Sequence, residues 1–173
     1  GNNTYSGGTT LTGGILSVET IGNGGVAGNL GAATNAAGNL VFDGGTLQYT
    51  GVTARTDRSF TINSGKAAVI DVTTNNLTLS GSSTATDGNL TKTGSGTLTL
   101  SGNNTDTGGT TLDEGTRALG SSGAIGSTGT ISFEGGTLGF SASNTTDYSS
   151  RFSTAAGQAY ALDTNGQDIT IAS

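Results

Sequence analysis

Apolar and polar residues alternate along this chain in short runs. In Thr97-Leu98-Thr99-Leu100 the two leucines share one face of an extended strand and the two threonines share the other. Leu77-Thr78-Leu79 and Ile169-Thr170-Ile171 repeat the pattern. Threonine and the β-branched aliphatics suit a pleated surface. Gly-Gly, Ser-Gly, Asn-Gly and Asp-Gly pairs interrupt the runs and supply the positive φ angles of tight corners. No stretch shows helical periodicity, so the pattern predicts an all-β chain of many short strands.

The pattern is also doubled. Gly1-Asn2-Asn3-Thr4 and Gly7-Gly8-Thr9-Thr10-Leu11 return as Gly102-Asn103-Asn104-Thr105 and Gly108-Gly109-Thr110-Thr111-Leu112. Leu40-Val41-Phe42-Asp43-Gly44-Gly45-Thr46-Leu47 returns as Ile131-Ser132-Phe133-Glu134-Gly135-Gly136-Thr137-Leu138. Phe60 to Asp71 returns as Phe152 to Asp163. The connector between the first two blocks shortens from residues 15–39 to residues 116–130. We expect one β-helix segment over residues 1–173, made of a unit 1–101 and an incomplete second unit 102–173.

Short strands with glycine corners fit an antiparallel sandwich or a parallel β-helix. Repetition favours the coil, because each turn of a solenoid contacts only its neighbours and can be repeated indefinitely. With roughly 20 residues per turn and ~4.8 Å between stacked strands, eight or nine turns and a rod about 40 Å long are expected.

The chain has 32 Gly and 33 Thr among 173 residues and no Pro, Cys, Met, Trp or His. Leu, Ile, Val and Phe number only 33, a share near the border of disorder. Charged residues are only 10%, however, and disorder normally needs strong charge as well. The net charge of −6 and the scatter of Arg55, Arg58, Lys66, Lys92, Arg117 and Arg151 argue against nucleic acid as a partner. No apolar run approaches the ~20 residues of a membrane span.

The stretch Leu90-Thr91-Lys92-Thr93-Gly94-Ser95-Gly96-Thr97-Leu98-Thr99-Leu100-Ser101-Gly102-Asn103-Asn104-Thr105, followed by Gly108-Gly109-Thr110-Thr111 and Gly115-Thr116, closely resembles the autotransporter-associated β-strand repeat. Gly1 to Gly14 is similar to the second half of another copy. The resemblance implies a right-handed single-stranded parallel β-helix, a fragment of a longer passenger of a Gram-negative type V secretion system. It implies export to the cell surface, tethering through a C-terminal outer-membrane barrel that is absent from this sequence, and no membrane insertion by this segment. It further implies a structural stalk or adhesin that associates with itself or attaches to host or matrix glycans and proteins. A polysaccharide-active β-helix enzyme and a passive secretion scaffold are the alternatives. The second copy departs from the pattern where Tyr5 becomes Asp106 and Leu16 becomes Arg117. Burying an unpaired charge is costly, so both are expected to face solvent unless the register shifts.

No catalytic, cofactor-binding or metal-ligating residue, and no cofactor, is expected. Without His or Cys, a serine lacks its usual activating base. A Ser-Lys pair using Lys66 is not kept in the second copy, where Ser64-Gly65-Lys66 becomes Ala156-Gly157-Gln158. Asp113 and Glu114 are adjacent, which in a strand would point them to opposite faces. Arg55, Asp57 and Arg58, with a partial echo at Asp147 and Arg151, read as a solvated ion-pair cluster. The threonine pairs Thr91/Thr93 and Thr97/Thr99 do not recur at one fixed rung spacing, which argues against an ice-binding face. Phe42, Tyr49, Phe60, Phe133, Phe140 and Phe152 are expected as stacked core residues.

Overall fold

The alternation becomes stacking. The computed structural model describes residues 1–172, and in it the chain coils through three walls in a fixed order. The first wall is β1 (Thr9–Leu11), β3 (Leu40–Phe42) and β6 (Thr61–Ile62). The second is β2 (Ile15–Val18), β4 (Thr46–Tyr49), β7 (Ala67–Val72), β9 (Asn89–Thr93), β11 (Thr110–Leu112) and β13 (Ile131–Phe133). The third is β5 (Ala54–Thr56), β8 (Asn76–Leu79), β10 (Thr97–Leu100), β12 (Thr116–Leu119), β14 (Thr137–Gly139) and β15 (Leu162–Asp163). All twelve strand pairings are parallel. The structure is thus a parallel β-solenoid. Two three-residue 3-10 turns, Ala37–Asn39 and Ser149–Arg151, are the helix among the described residues.

Partners on the second wall, Leu47, Ile70, Lys92, Leu112 and Phe133, follow one another at 20 to 23 residues. Two walls of six strands give six turns, where the sequence suggested eight or nine. The difference has three sources. Most turns exceed 20 residues, the first runs 31 residues from Leu11 to its partner Phe42, and residues 164–172 form no strand. Six strands at ~4.8 Å make a rod nearer 30 Å than 40 Å.

Inward positions form columns along the rod axis. Leu77 and Leu98 stack beneath Arg117 and Leu138, while Leu79, Leu100 and Leu119 stack beside them. Phe42, Phe60 and Phe133 are fully enclosed, and Phe152 is half-buried. Phe42 meets Phe60 edge-on with centroids 6.1 Å apart, and their counterparts Phe133 and Phe152 do the same at 5.0 Å. The aromatic repeat therefore encodes core packing.

The two copies of the motif do not sit on the same walls. β1 carries Leu11 on the first wall, whereas β11 carries its counterpart Leu112 on the second. β2 and β4 lie on the second wall, but their counterparts β12 and β14 lie on the third. Phe60 bridges to Ser83 on the first wall, and Phe152 bridges to Ile131 on the second. The motif thus recurs after four turns plus one wall. The ten-residue shortening lies in a single turn: Leu11 to Phe42 spans 31 residues and Leu112 to Phe133 spans 21.

Gly94, at the corner between β9 and β10, has φ of 75°. A Cβ there would also collide with the Asp71 carboxylate and the Val72 carbonyl of the turn below. We expect Gly94→Ala to cost about 2 kcal/mol in urea unfolding, left-handed strain plus a clash that cannot relax. Gly65 has φ of 68° with open space around it, so Gly65→Ala should cost about half as much.

Candidate functional site

Three cations, Arg58, Lys92 and Arg117, are buried in the solenoid. Lys92 faces inward in β9, between Ile70 and Leu112, and is fully buried. Its stem replaces a leucine in the column, and its head reaches the corner. There Nζ donates to the carbonyls of Thr93 and Gly94 at 2.7 Å and of Glu114 at 3.3 Å. Burial lowers its pKa to about 8, against the opposing pull of Asp71 and Glu114. The unfolded amine titrates near ~10.4. Protonated Lys92 therefore weighs against folding below pH 8, and that cost is relieved as pH rises from 8 towards 10.5. The side chain should titrate near pH 8 by NMR at its Nζ or Cε. Relative to Lys92→Met, the parent chain should gain stability over that window.

Arg117 and Asp106 correct the expectation that both face solvent. Arg117 is 1% exposed and Asp106 4%. Arg117 Nη1 donates to Thr110 Oγ1 at 2.5 Å and Nη2 to the Ala124 carbonyl at 3.0 Å, while Nε has no partner. Asp106 accepts from the Ser83 hydroxyl. Burial lowers the Arg117 pKa to about 10, and the nearby Asp106 charge opposes that shift. The register does not slip, since Arg117 pairs in line with Leu98 and Leu138. The charge brought in at one departure from the repeat thus interacts favourably with the charge brought in at the other.

Arg58 corrects the ion-pair reading. It is 2% exposed and lies beneath the long connector of the first copy. Nε donates to the Gly22 carbonyl at 3.0 Å, Nη1 to Ala33 at 3.2 Å and Nη2 to Gly31 at 2.7 Å. Asp57 accepts from the Gly24 amide at 2.8 Å instead of pairing with an arginine. Arg151 treats the short connector of the second copy in the same way. Its guanidinium donates to the carbonyls of Gly129 at 2.9 Å, Ile125 at 3.1 Å and Thr128 at 2.5 Å. Each variable connector is thus pinned by one arginine from the following turn.

The remaining candidates are dispersed. Asp113 and Glu114 are both exposed at the corner after β11, not on opposite faces of a strand. Asp43 forms the single ion pair among the described residues, with Lys66 at 3.8 Å. Asp71 accepts from Gln48 Nε2 at 2.8 Å. Asn104 is a corner cap, accepting from the Ser83 amide at 2.8 Å and donating to the Ala124 carbonyl at 2.9 Å. Among the described residues, no three carboxylates converge where a metal ion could sit. A cavity of about 520 Å³ in the last turn is lined by residues such as Phe152, Tyr160 and Leu162, and no charged side chain lines it.

The outer surface is more regular than the sequence spacing suggested. On the third wall Asn76, Thr97, Thr116 and Thr137 are register partners, although the steps between them are 21, 19 and 21 residues. Thr78 and Thr99 align beside them. On the second wall Thr91 aligns with Thr111, and Thr111 with Ser132. Corner residues absorb the unequal turn lengths, so the hydroxyls stack in columns after all.

The comparisons fall on these same strands. The Passenger-associated-transport-repeat family matches residues 1–18, which hold β1 and β2, and residues 90–116, which run from β9 to the start of β12. The "Adhesin BmaC autotransporter" of Brucella suis biovar 1 (strain 1330) is 48% identical over 101 residues, 56% of this chain. The chain spans about 3% of the length of that relative. No solved structure matches. Repeat match, relative and solenoid agree: residues 1–18 and 90–116 match passenger-associated transport repeats, and the chain is similar to a short stretch of an autotransporter adhesin.

Proposed function

We propose that this chain is a non-enzymatic, surface-displayed section of a passenger that acts as a stiff adhesive stalk. The observation that carries the reading is the division of labour among polar groups. Five of the six basic side chains, Arg58, Lys66, Lys92, Arg117 and Arg151, are engaged inside the molecule or in the one ion pair among the described residues. The outer walls instead carry columns in strand register that are mostly uncharged and rich in hydroxyl and amide groups. Such a surface offers many weak, repeated contacts and no single deep pocket, so its binding strength would come from multivalency. The relative's description as an adhesin supports the same reading. Export across the outer membrane of a Gram-negative bacterium accompanies it.

The test is display. Bacteria presenting a passenger with residues 1–173 should clump or attach to matrix-coated surfaces more than bacteria presenting the same passenger with this stretch removed. Equal behaviour at matched surface levels would reduce the segment to a spacer.

A further inference from the structure

The outward column at the centre of the third wall runs Arg55, Thr78, Thr99, Ala118, Gly139, Asp163, each in register with the next. It is positive at one end, negative at the other and uncharged between. Both end residues are exposed. Arg55 is the one cation among the described residues that is neither buried, held by carbonyls nor ion-paired. Asp163 spends one carboxylate oxygen on the Asn165 amide at 2.9 Å, which leaves the other open.

We propose that this wall docks face to face, in antiparallel orientation, on the same wall of a second copy of the chain, with Arg55 of each copy meeting Asp163 of the other. The inference rests on the adhesive reading above and names its partner. Three features of the column select this arrangement. Reversing one rod about a two-fold axis along the strand direction superimposes the column on its own reverse, as a self-complementary interface requires. Both end charges are then matched at once. Bulk is matched too: Thr78 meets the recessed, buried backbone of Gly139 and Thr99 meets the half-buried Ala118, larger against smaller. The neighbouring column pairs Asn76 with Thr137 and Thr97 with Thr116, all hydrogen-bonding side chains. The acidic corner is also accommodated. Glu134 precedes β14 and Glu114 precedes β12, and in the reversed partner they lie opposite the uncharged corners at Asn75 and Ser95.

Size sets the strength. Five strand steps at ~4.8 Å and a strand width of about 13 Å give roughly 300 Å² per copy, well under the ~800 Å² per partner of a stable complex. A single contact is therefore transient, and density on a surface multiplies it. Rods anchored by the same end on two facing surfaces meet antiparallel, the orientation the column needs.

The experiment coats beads densely with the 173-residue chain and follows clumping by turbidity. The parent beads should clump, and 0.5 M NaCl should slow them by screening the end pairs. Arg55→Glu beads and Asp163→Arg beads should each clump at least about fivefold more slowly, because reversal places like charges opposite each other twice per interface. A one-to-one mixture of the two variants should regain about half the parent rate, since half of its encounters join unlike variants, which offer each other opposite charges at both ends. That rescue separates a contact between copies from any loss of folding. Variant beads that clump as fast as the parent, a mixture that stays slow, or clumping that needs an added acidic polysaccharide would each overturn the proposal. In those cases the display experiment still decides the adhesive role independently.

Discussion

Replacing Arg117 with leucine will destabilise the chain by about 3–5 kcal/mol, although leucine restores the aliphatic column between Leu98 and Leu138. The cost arises at Asp106, which is 4% exposed and loses a favourable charge interaction, and at the Ala124 carbonyl, which loses Nη2 and keeps only the Asn104 amide. Thr110 also loses a partner at 2.5 Å. Asp106→Asn alone will cost less, because an amide still fits beside the Ser83 hydroxyl. The double variant Asp106→Asn/Arg117→Leu should recover about 1–3 kcal/mol relative to the sum of the singles. Urea unfolding followed by circular dichroism measures all three. Strict additivity would mean that Asp106 and Arg117 are two unrelated departures from the repeat. Coupling would mean that they were exchanged together.

Arg58→Ala should have the second large effect, again about 3–5 kcal/mol, because three charge-assisted hydrogen bonds worth ~1.5–3 kcal/mol each are lost at once. The Gly31 carbonyl loses its donor, whereas Gly22 keeps the Thr56 hydroxyl and Ala33 the Gly25 amide. The effect should be local before it is global. Residues 22–33 carry Val26, Ala27 and Leu30, so elastase should cut this loop in the variant while the columns of the second and third walls remain protected from amide exchange. Arg58→Lys should rescue little. One ammonium cannot reach three separated carbonyls in the way a planar guanidinium does. If elastase leaves the variant connector intact, Arg58 is not what holds it.

The strands and the coil were legible because the period of two and the corner glycines report directly on backbone geometry. Thr97 to Leu100 became β10 with both leucines inside. The turn count was missed because sequence alone does not say where a connector bulges; the 31-residue first turn carries the loop that Arg58 pins. The threonine columns were missed for a related reason. Register is set by which strands pair, and unequal corners between β8, β10, β12 and β14 disguise equal positions on the wall.

Arg58 and Arg117 were misread, and Lys92 was left unplaced, although their signal was present. Lys92 shares strand parity with Leu90, Arg117 with Leu119, and Arg58 with Phe60 and Ile62. Parity alone placed all three inside. The cost of burying a charge argued the other way, and that argument overlooked the corner carbonyls within reach of long side chains. The advance of one wall per motif could not be seen by aligning the two copies. It appears only when turns are counted through the strand register.

That advance is the central structural claim, and a chain without cysteine allows a clean test. Stacked parallel neighbours lie ~4.8 Å apart, within the 4.4–6.8 Å Cα range of a disulfide. Cysteine pairs along the second wall, Val69→Cys/Thr91→Cys, Thr91→Cys/Thr111→Cys and Thr111→Cys/Ser132→Cys, should each close under mild oxidation, placing β11 over β4 and β7 and not over β1 and β3. The measurement is the fraction of disulfide-linked chain in each pair by mass spectrometry. Near-complete closure of all three is the predicted result. A Thr91→Cys/Thr111→Cys pair that stays reduced while the other two close would contradict the account.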